Sequence, residues 1–266
     1  YHQSTIIGYE AYLRGIYETS EKVEYLTAED LFAYAKEYNK SLHLNVAAVK
    51  LAITEFENFY RVNKNIYLFI KITHYIIENF QEKLNLIHSV TKKSEIPTNT
   101  IILEIDDQES EDDAHLENFC TSQKKLGFSI AIDNYSIEHS NYRRLLIVKP
   151  FLIKICRSLM HQSVKNFYAK EVLNQLSIWS EKTGSLLVAQ GIEDANHITM
   201  LREYNIELFQ GYFFGAPQKK IFKNSDIQAQ LQNMRALYQN ERIVKLRKQK
   251  RYFTLIKRVV NDFIEQ

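Results

Sequence analysis

Short apolar runs alternate with longer amphipathic ones along most of the chain. The runs at 66–72, 101–105, 129–132, 151–155, 185–189 and 207–213 are β-rich, and an earlier run ends on Glu10. Between them the spacing is helical, as over 164–183, where Leu173, Leu176, Ile178 and Trp179 recur on one period. The segment 27–63 has helical pattern with little strand signal, which predicts two helices ahead of the later strands. Strands apolar on both faces and separated by helices predict a parallel sheet covered on both sides. Roughly seven or eight of them fit a TIM-like (β/α) barrel better than an open doubly wound sheet, because no glycine-rich phosphate loop follows the first strand.

Composition supports one large core. With 45% hydrophobic and 12% aromatic residues, a chain of 266 residues needs no disulfides to hold together. The 34 basic and 32 acidic residues leave a net charge of +2, so no global field draws the chain to nucleic acid or membrane. Cys120 and Cys156 are too few for a disulfide framework or a zinc site, which suits a reducing, cytoplasmic setting. No run reaches the roughly 20 apolar residues that span a bilayer. Opening on Tyr1 and without a signal-peptide pattern, the chain is expected to be a module of a longer protein. Glycine and proline are sparse, and no linker marks a boundary before about residue 236, so we expect a barrel domain over 1–236 and a C-terminal helical extension over 237–266. In that extension the stretch from Arg242 to Arg258 carries eight basic and no acidic residues, while Phe253, Ile256, Val260 and Phe263 share one helical face.

A barrel gathers its chemistry at the C-terminal ends of its strands. Glu10 closes the first strand and Arg14 follows four residues later. Together they make a metal ligand beside a phosphate clamp if other strands bring acids to the same rim, and a simple ion pair otherwise. Lys71 lies on the second strand, Glu104 with Asp107 closes the third, and Asp133 with Asn134 closes the fourth. Lys154 and Cys156 end the fifth, Gln190 and Glu193 the sixth, and Gln210 follows. The acidic run 104–113 reads as a strand end and then a helix start, where carboxylates meet the positive end of the helix dipole. The histidines show no metal-ligand spacing.

Six segments in order carry a resemblance: Gly-Tyr-Glu-Ala-Tyr-Leu-Arg at 8–14, Leu-Glu-Ile-Asp-Asp at 103–107, Ala-Ile-Asp-Asn-Tyr at 131–135, Ile-Lys-Ile-Cys at 153–156, Ala-Gln-Gly-Ile-Glu at 189–193 and Gln-Gly-Tyr-Phe-Phe-Gly-Ala-Pro at 210–217. From Ile6 to Pro217 the chain resembles the EAL family, bacterial domains that hydrolyse or bind the second messenger cyclic di-GMP. The resemblance implies a TIM-like barrel of the EAL type. In active members it implies two cations, Mg²⁺ or Mn²⁺, held by the acid of the naming motif, an Asn on the next strand, a Glu and paired Asp residues, which activate water against a phosphodiester. Here Glu10, Glu104, Asp133, Lys154 and Glu193 are the remnants of that machinery, and Arg14, Gln210 and Pro217 are candidate ligand-binding residues.

Four positions depart from the pattern. Lys71 stands where the Asn is expected, and an ammonium repels a cation. Asn134 replaces the second Asp, and Cys156, a soft ligand, stands where an Asp is expected. Gln190 occupies the place of the glutamate assigned as general base, and an amide cannot take a proton from water. Tyr12 replaces the usual Leu of the naming motif, and its bulk is aimed at the nucleotide pocket. The loop 135–141 lacks both glycines of the expected Phe-Gly-x-Gly, so it must take another course. The usual Gln-Pro-Ile segment is not recognisable before Ile6.

These departures imply a catalytically inactive regulatory binding module in second-messenger signalling, with no bound metal or cofactor. Its expected partners are an unidentified protein, cyclic di-GMP held weakly through Arg14, and a second copy of the chain. Lys71 is expected to be a structural counterion to Glu10, Glu104 or Asp133, and Cys156 an inert core thiol. One alternative is an active Mg²⁺- or Mn²⁺-dependent cyclic di-GMP phosphodiesterase with a rebuilt site, using Glu10, Glu104, Asp133, Asp107 and Glu193 as acids and Lys154 as the orienting cation. Another is a nucleic-acid or membrane adaptor acting through Arg242 to Arg258, for which a solvated helix face is the plainer reading.

Overall fold

The computed structural model describes residues 5–18, 22–78, 86–107, 112–136, 142–218, 221, 223–233 and 235–236. It begins with strands β1 Gly8–Ala11, β2 Gly15–Glu18 and β3 Val23–Leu26 and helices α1 Ala28–Glu37 and α2 Ser41–Val62. Then follow β4 Tyr67–Ile72, α3 His74–Glu78, α4 Leu86–Thr91, β5 Ile101–Asp106, α5 Asp113–Lys125, β6 Ser129–Tyr135 and α6 Tyr142–Val148. The alternation ends with β7 Leu152–Ile155, α7 Arg157–Lys165, α8 Phe167–Thr183, β8 Leu186–Ala189, α9 Ala195–Arg202 and β9 Leu208–Phe209. Seven strands form one curled sheet in the order β1-β4-β5-β6-β7-β8-β9, with parallel neighbours throughout. This is the TIM-like α/β architecture that the alternation of apolar runs and helices predicts. Among the described residues no backbone ladder joins β9 to β1, but side chains cross that seam: Gln210 Nε2 donates to Glu10 Oε2 at 2.6 Å.

The period-2 pleat sorts each strand into two faces. One face packs on the helices, where α2 contributes Val49, Ile53, Phe56 and Tyr60 along one stripe to the main core. The other face forms a second, small apolar layer of Phe69, Ile102, Ala131, Leu152 and Val188, one residue from each of five successive strands. Two residues further along each strand, on the same face, stand Lys71, Glu104, Asp133, Lys154 and Gln190. The polar layer therefore sits on the apolar one toward the C-terminal rim. Lys154 Nζ lies 5.8 Å from the centre of the Phe69 ring.

Local departures from the expected elements have identifiable causes. The expected helix over 164–183 is two helices, because Asn166 adopts an extended conformation and its side chain caps α8 by accepting from the amides of Tyr168 and Ala169. Ile178, expected with the apolar stripe, is exposed, while Leu173 and Leu176 are buried. The run 207–213 contracts to Leu208–Phe209, since the chain turns through Tyr212 to Phe214. The hairpin of β2 and β3 was not expected from the pattern. Gly15 permits it, for a Cβ there would lie 2.8 Å from Leu31 Cδ2 of α1. The acidic run behaves as expected, with β5 ending at Asp106 and Asp112 capping α5 through the amide of Ala114. No helix among the described residues is long and apolar enough to cross a membrane. The extension 237–266, including Arg242 to Arg258, and loop residues 137–141 lie outside the described residues.

Candidate functional site

The Lys154 ammonium is the hub of the polar layer. It lies 2.5 Å from Glu10 Oε2, 2.8 Å from Glu104 Oε1 and 3.7 Å from Asp133 Oδ1, with Lys154 and Glu104 both fully enclosed. Lys71 forms a second centre, 2.7 Å from Asp106 Oδ2 and 3.4 Å from Asp133 Oδ2. Amides occupy further oxygens: Gln190 Nε2 donates to Asp133 Oδ1 at 2.9 Å, and Asn134 Nδ2 to Asp106 Oδ2 at 2.9 Å. Gln210 Nε2 bonds Glu10 and also reaches Tyr12 Oη at 3.2 Å.

A bulge makes this convergence possible. Between β6 and β7 the register shifts over 132–135, so that Asp133 and Asn134 together oppose one residue of β7. Asn134 takes a left-handed conformation, φ 55°, which asparagine tolerates better than most residues. Both side chains consequently turn into the site.

Charge in this layer is unbalanced, for four carboxyl groups face two ammonium groups. Burial works against a charge on Lys154, but Glu104, Glu10 and Asp133 outweigh it and hold the ammonium well above the usual lysine range. Burial likewise opposes charge on Lys71, and Asp133 and Asp106 raise it. For Glu104 burial dominates and pushes its carboxyl up to about 8, with Lys154 pulling down and Glu10 and Asp133 adding repulsion. A carboxyl raised in the folded state keeps its proton while the unfolded chain loses it. Stability should therefore fall with rising pH between about 4.3 and about 8, at up to about 1.4 kcal/mol per pH unit from this group. Urea unfolding across that range should show a shallower fall for Glu104→Gln than for the unmodified chain.

The oxygens of Glu10, Glu104 and Asp133 lie within 4.8 Å of one another, a grouping that hard divalent cations accept. The point on which they converge is taken by Lys154 Nζ, and Lys71, Gln190 and Gln210 engage other oxygens of the set. Glu104 Oε2 is buried without a hydrogen-bond partner among the described residues.

Other sequence candidates fall elsewhere. Glu193 leaves the cluster, pairing with Arg157 and standing 3.8 Å from His161 Nε2. Arg14 does not pair with Glu10: it is exposed, donates to the Leu13 carbonyl and stacks over the Tyr12 ring at 5.7 Å. Pro217 is exposed beyond the last turn. Asp107 is buried next to the site, its amide bonded to the Asp133 carbonyl. Cys156 is a buried cap on α7, its Sγ 3.4 Å from the Leu159 amide and 3.0 Å from Ser158 Oγ. Lys71 is indeed a counterion, to Asp133 as expected, but Asp106 is its nearer partner and Glu10 and Glu104 go to Lys154. Asp106 was missed, although it shares the pleat face of Glu104 two residues on, and that parity was the signal.

The EAL domain family matches residues 2–217 of this chain. The chain belongs to the EAL domain family. Among curated proteins, the probable cyclic di-GMP phosphodiesterase PdeA of Escherichia coli is 27% identical over 128 residues, 48% of this chain and 18% of that protein. The uncharacterised EAL-domain protein YkuI of Bacillus subtilis is 26% identical over 137 residues, 51% of this chain and 34% of that one. The chain thus spans about a third or less of the length of these relatives. The crystal structure of YkuI with cyclic di-GMP and calcium superimposes with a TM-score of 0.74 at 20% identity, covering 93% of this chain and 60% of that one. The EAL domain of Xanthomonas citri FimX, also solved with cyclic di-GMP, gives 0.69 at 17% identity over 83% and 87%. At these identities the structural likeness establishes the fold.

In this EAL domain the loop bearing Gln210 is seated by close backbone contact. Gln210 accepts at its carbonyl from the Ile192 amide at 3.0 Å, and Phe213 donates to the Ile192 carbonyl at 3.0 Å. A Cβ on Gly211 would lie 2.2 Å from Ile192 O and 2.3 Å from Ile192 N. Gly211→Ala is accordingly expected to cost about 1–3 kcal/mol in denaturant unfolding, since backbone on backbone cannot be relieved by a rotamer.

Proposed function

We propose that this EAL domain works in cyclic di-GMP signalling by binding and not by hydrolysis, as a regulatory module for a protein partner and a weak receptor for the nucleotide, in the cytoplasm. One observation carries the reading: Lys71, a cation where the active pattern has an Asn, neutralises Asp106 and Asp133, while the Lys154 ammonium sits at the convergence point of Glu10, Glu104 and Asp133. A divalent ion would have to displace an ammonium held by three carboxyl groups, so these residues fit Mg²⁺ or Mn²⁺ poorly as they stand. Gln190 spends its amide on Asp133 and offers no acceptor basic enough to take a proton from water. The nucleotide's phosphates would then be met at the exposed rim, where Arg14 stacks on Tyr12.

The second reading, a metal-dependent phosphodiesterase, is favoured by the excess of carboxylates over ammonium groups and by the bare Glu104 Oε2. Titration of the purified chain with cyclic di-GMP plus Mn²⁺, following heat and linear dinucleotide together, separates the two. Binding without product supports the receptor, silence in both leaves the protein-partner role, and turnover that depends on Mn²⁺ overturns the proposal.

A further inference from the structure

The β2–β3 hairpin is a two-stranded ribbon outside the barrel sheet, and among the described residues β2 is paired on one side only. Such ribbons are marginal alone, and an uncovered edge presents unpaired backbone groups. Gly15 and Leu26 face Leu31 of α1, so the alternate positions Ile16, Glu18, Val23 and Tyr25 form the outward face. Ile16, Val23 and Tyr25 are 64%, 50% and 76% exposed. Helix α1 beneath has no buried residue.

From this we infer that the β2 edge pairs antiparallel with the β2 edge of a second copy of the chain, about a two-fold axis at Ile16. Charge selects this occupant and this register. Antiparallel pairing centred on Ile16 sets Ile16 against Ile16 of the copy and, carried one residue past the start of β2, brings each Arg14 opposite the other chain's Glu18. Arg14 and Glu18 are exposed, and neither has an ion-pair partner among the described residues. Arg14 immediately precedes β2 and Glu18 ends it, about 13 Å apart along an extended chain, and the two do not pair with each other. The outward positions of β3, Val23 and Tyr25, offer no such pair. The result is a four-stranded sheet across the axis and an isologous dimer.

Sedimentation velocity on the full chain, without nucleotide and over a concentration series, tests this. The unmodified chain should show a monomer–dimer equilibrium. Glu18→Arg and Arg14→Glu should each weaken it about tenfold, because both symmetry-related pairs become like-charged. The double variant should recover it, and an equimolar mixture of the two single variants should form the heterodimer, in which every pair is again opposite. Recovery on mixing also shows that the single variants are folded. A chain monomeric up to its solubility limit overturns the inference. So does a dimer indifferent to Glu18→Arg, or single variants that stay monomeric when mixed.

Discussion

Lys154→Met should lower the melting temperature by on the order of 10 °C. The substitution keeps length and apolar stem but removes the charge that balances Glu10 and Asp133 and the donor that serves Glu104. Removing one partner of a buried ionic group costs about 3–5 kcal/mol, because the remaining charges are left unpaired in a medium that solvates them badly. In a domain of this size each kcal/mol moves the midpoint by about 2–4 °C. The variant should also gain what the unmodified chain lacks, a vacancy ringed by three carboxyl groups, so Mn²⁺ should raise its midpoint while leaving that of the unmodified chain alone. A shift of only a degree or two, or equal Mn²⁺ responses, would show that the ammonium is not what balances the cluster.

The largest gain of function is expected from restoring the family pattern at three positions together: Lys71→Asn, Asn134→Asp and Gln190→Glu. Lys71 and Asn134 now hold Asp106, and Gln190 holds Asp133. Exchanging them removes one resident cation, adds two carboxylates and returns a group able to accept a proton. A positioned general base is worth about 10²–10⁴-fold, so linear dinucleotide should form at least about 10²-fold faster in Mn²⁺ than with the unmodified chain. The pair Lys71→Asn and Asn134→Asp without Gln190→Glu should take up Mn²⁺ at Asp106, Asp133 and the new carboxylate at 134, the centre that Lys71 vacates away from Lys154, and stay slow. A triple variant that binds Mn²⁺ yet turns over no faster would mean that the barrier lies elsewhere, with Cys156 and the loop 135–141 the remaining departures.

Much of the fold was legible because its strands are apolar on both faces, which few arrangements besides a helix-covered parallel sheet permit. The hairpin escaped notice because Gly15–Glu18 and Val23–Leu26 are short and expose their apolar residues, so no buried periodicity marks them. The break at Asn166 hid inside a continuous helical pattern, since a cap is decided by one side chain and not by period. At the site, the residues closing the strands were identifiable from position alone, and Glu10, Glu104, Asp133 and Lys154 do meet. Which ammonium would hold which carboxylate was not identifiable. Lys71 and Lys154 sit on different strands with similar reach, and the bulge at Asp133 and Asn134 decides the pairing. Glu193 was misassigned to the cluster because the competing partner, Arg157, opens helix α7, which only the folded chain brings near.

The most direct measurement is the free Mn²⁺ signal in electron paramagnetic resonance as the unmodified chain is titrated into the ion at neutral pH, with Lys154→Met alongside. An acid cluster already filled by Lys154 predicts that the signal persists with the unmodified chain and is depleted by the variant. Stoichiometric loss of the signal with the unmodified chain, which would require Mn²⁺ to enter among Glu10, Glu104 and Asp133 past the ammonium, would contradict it.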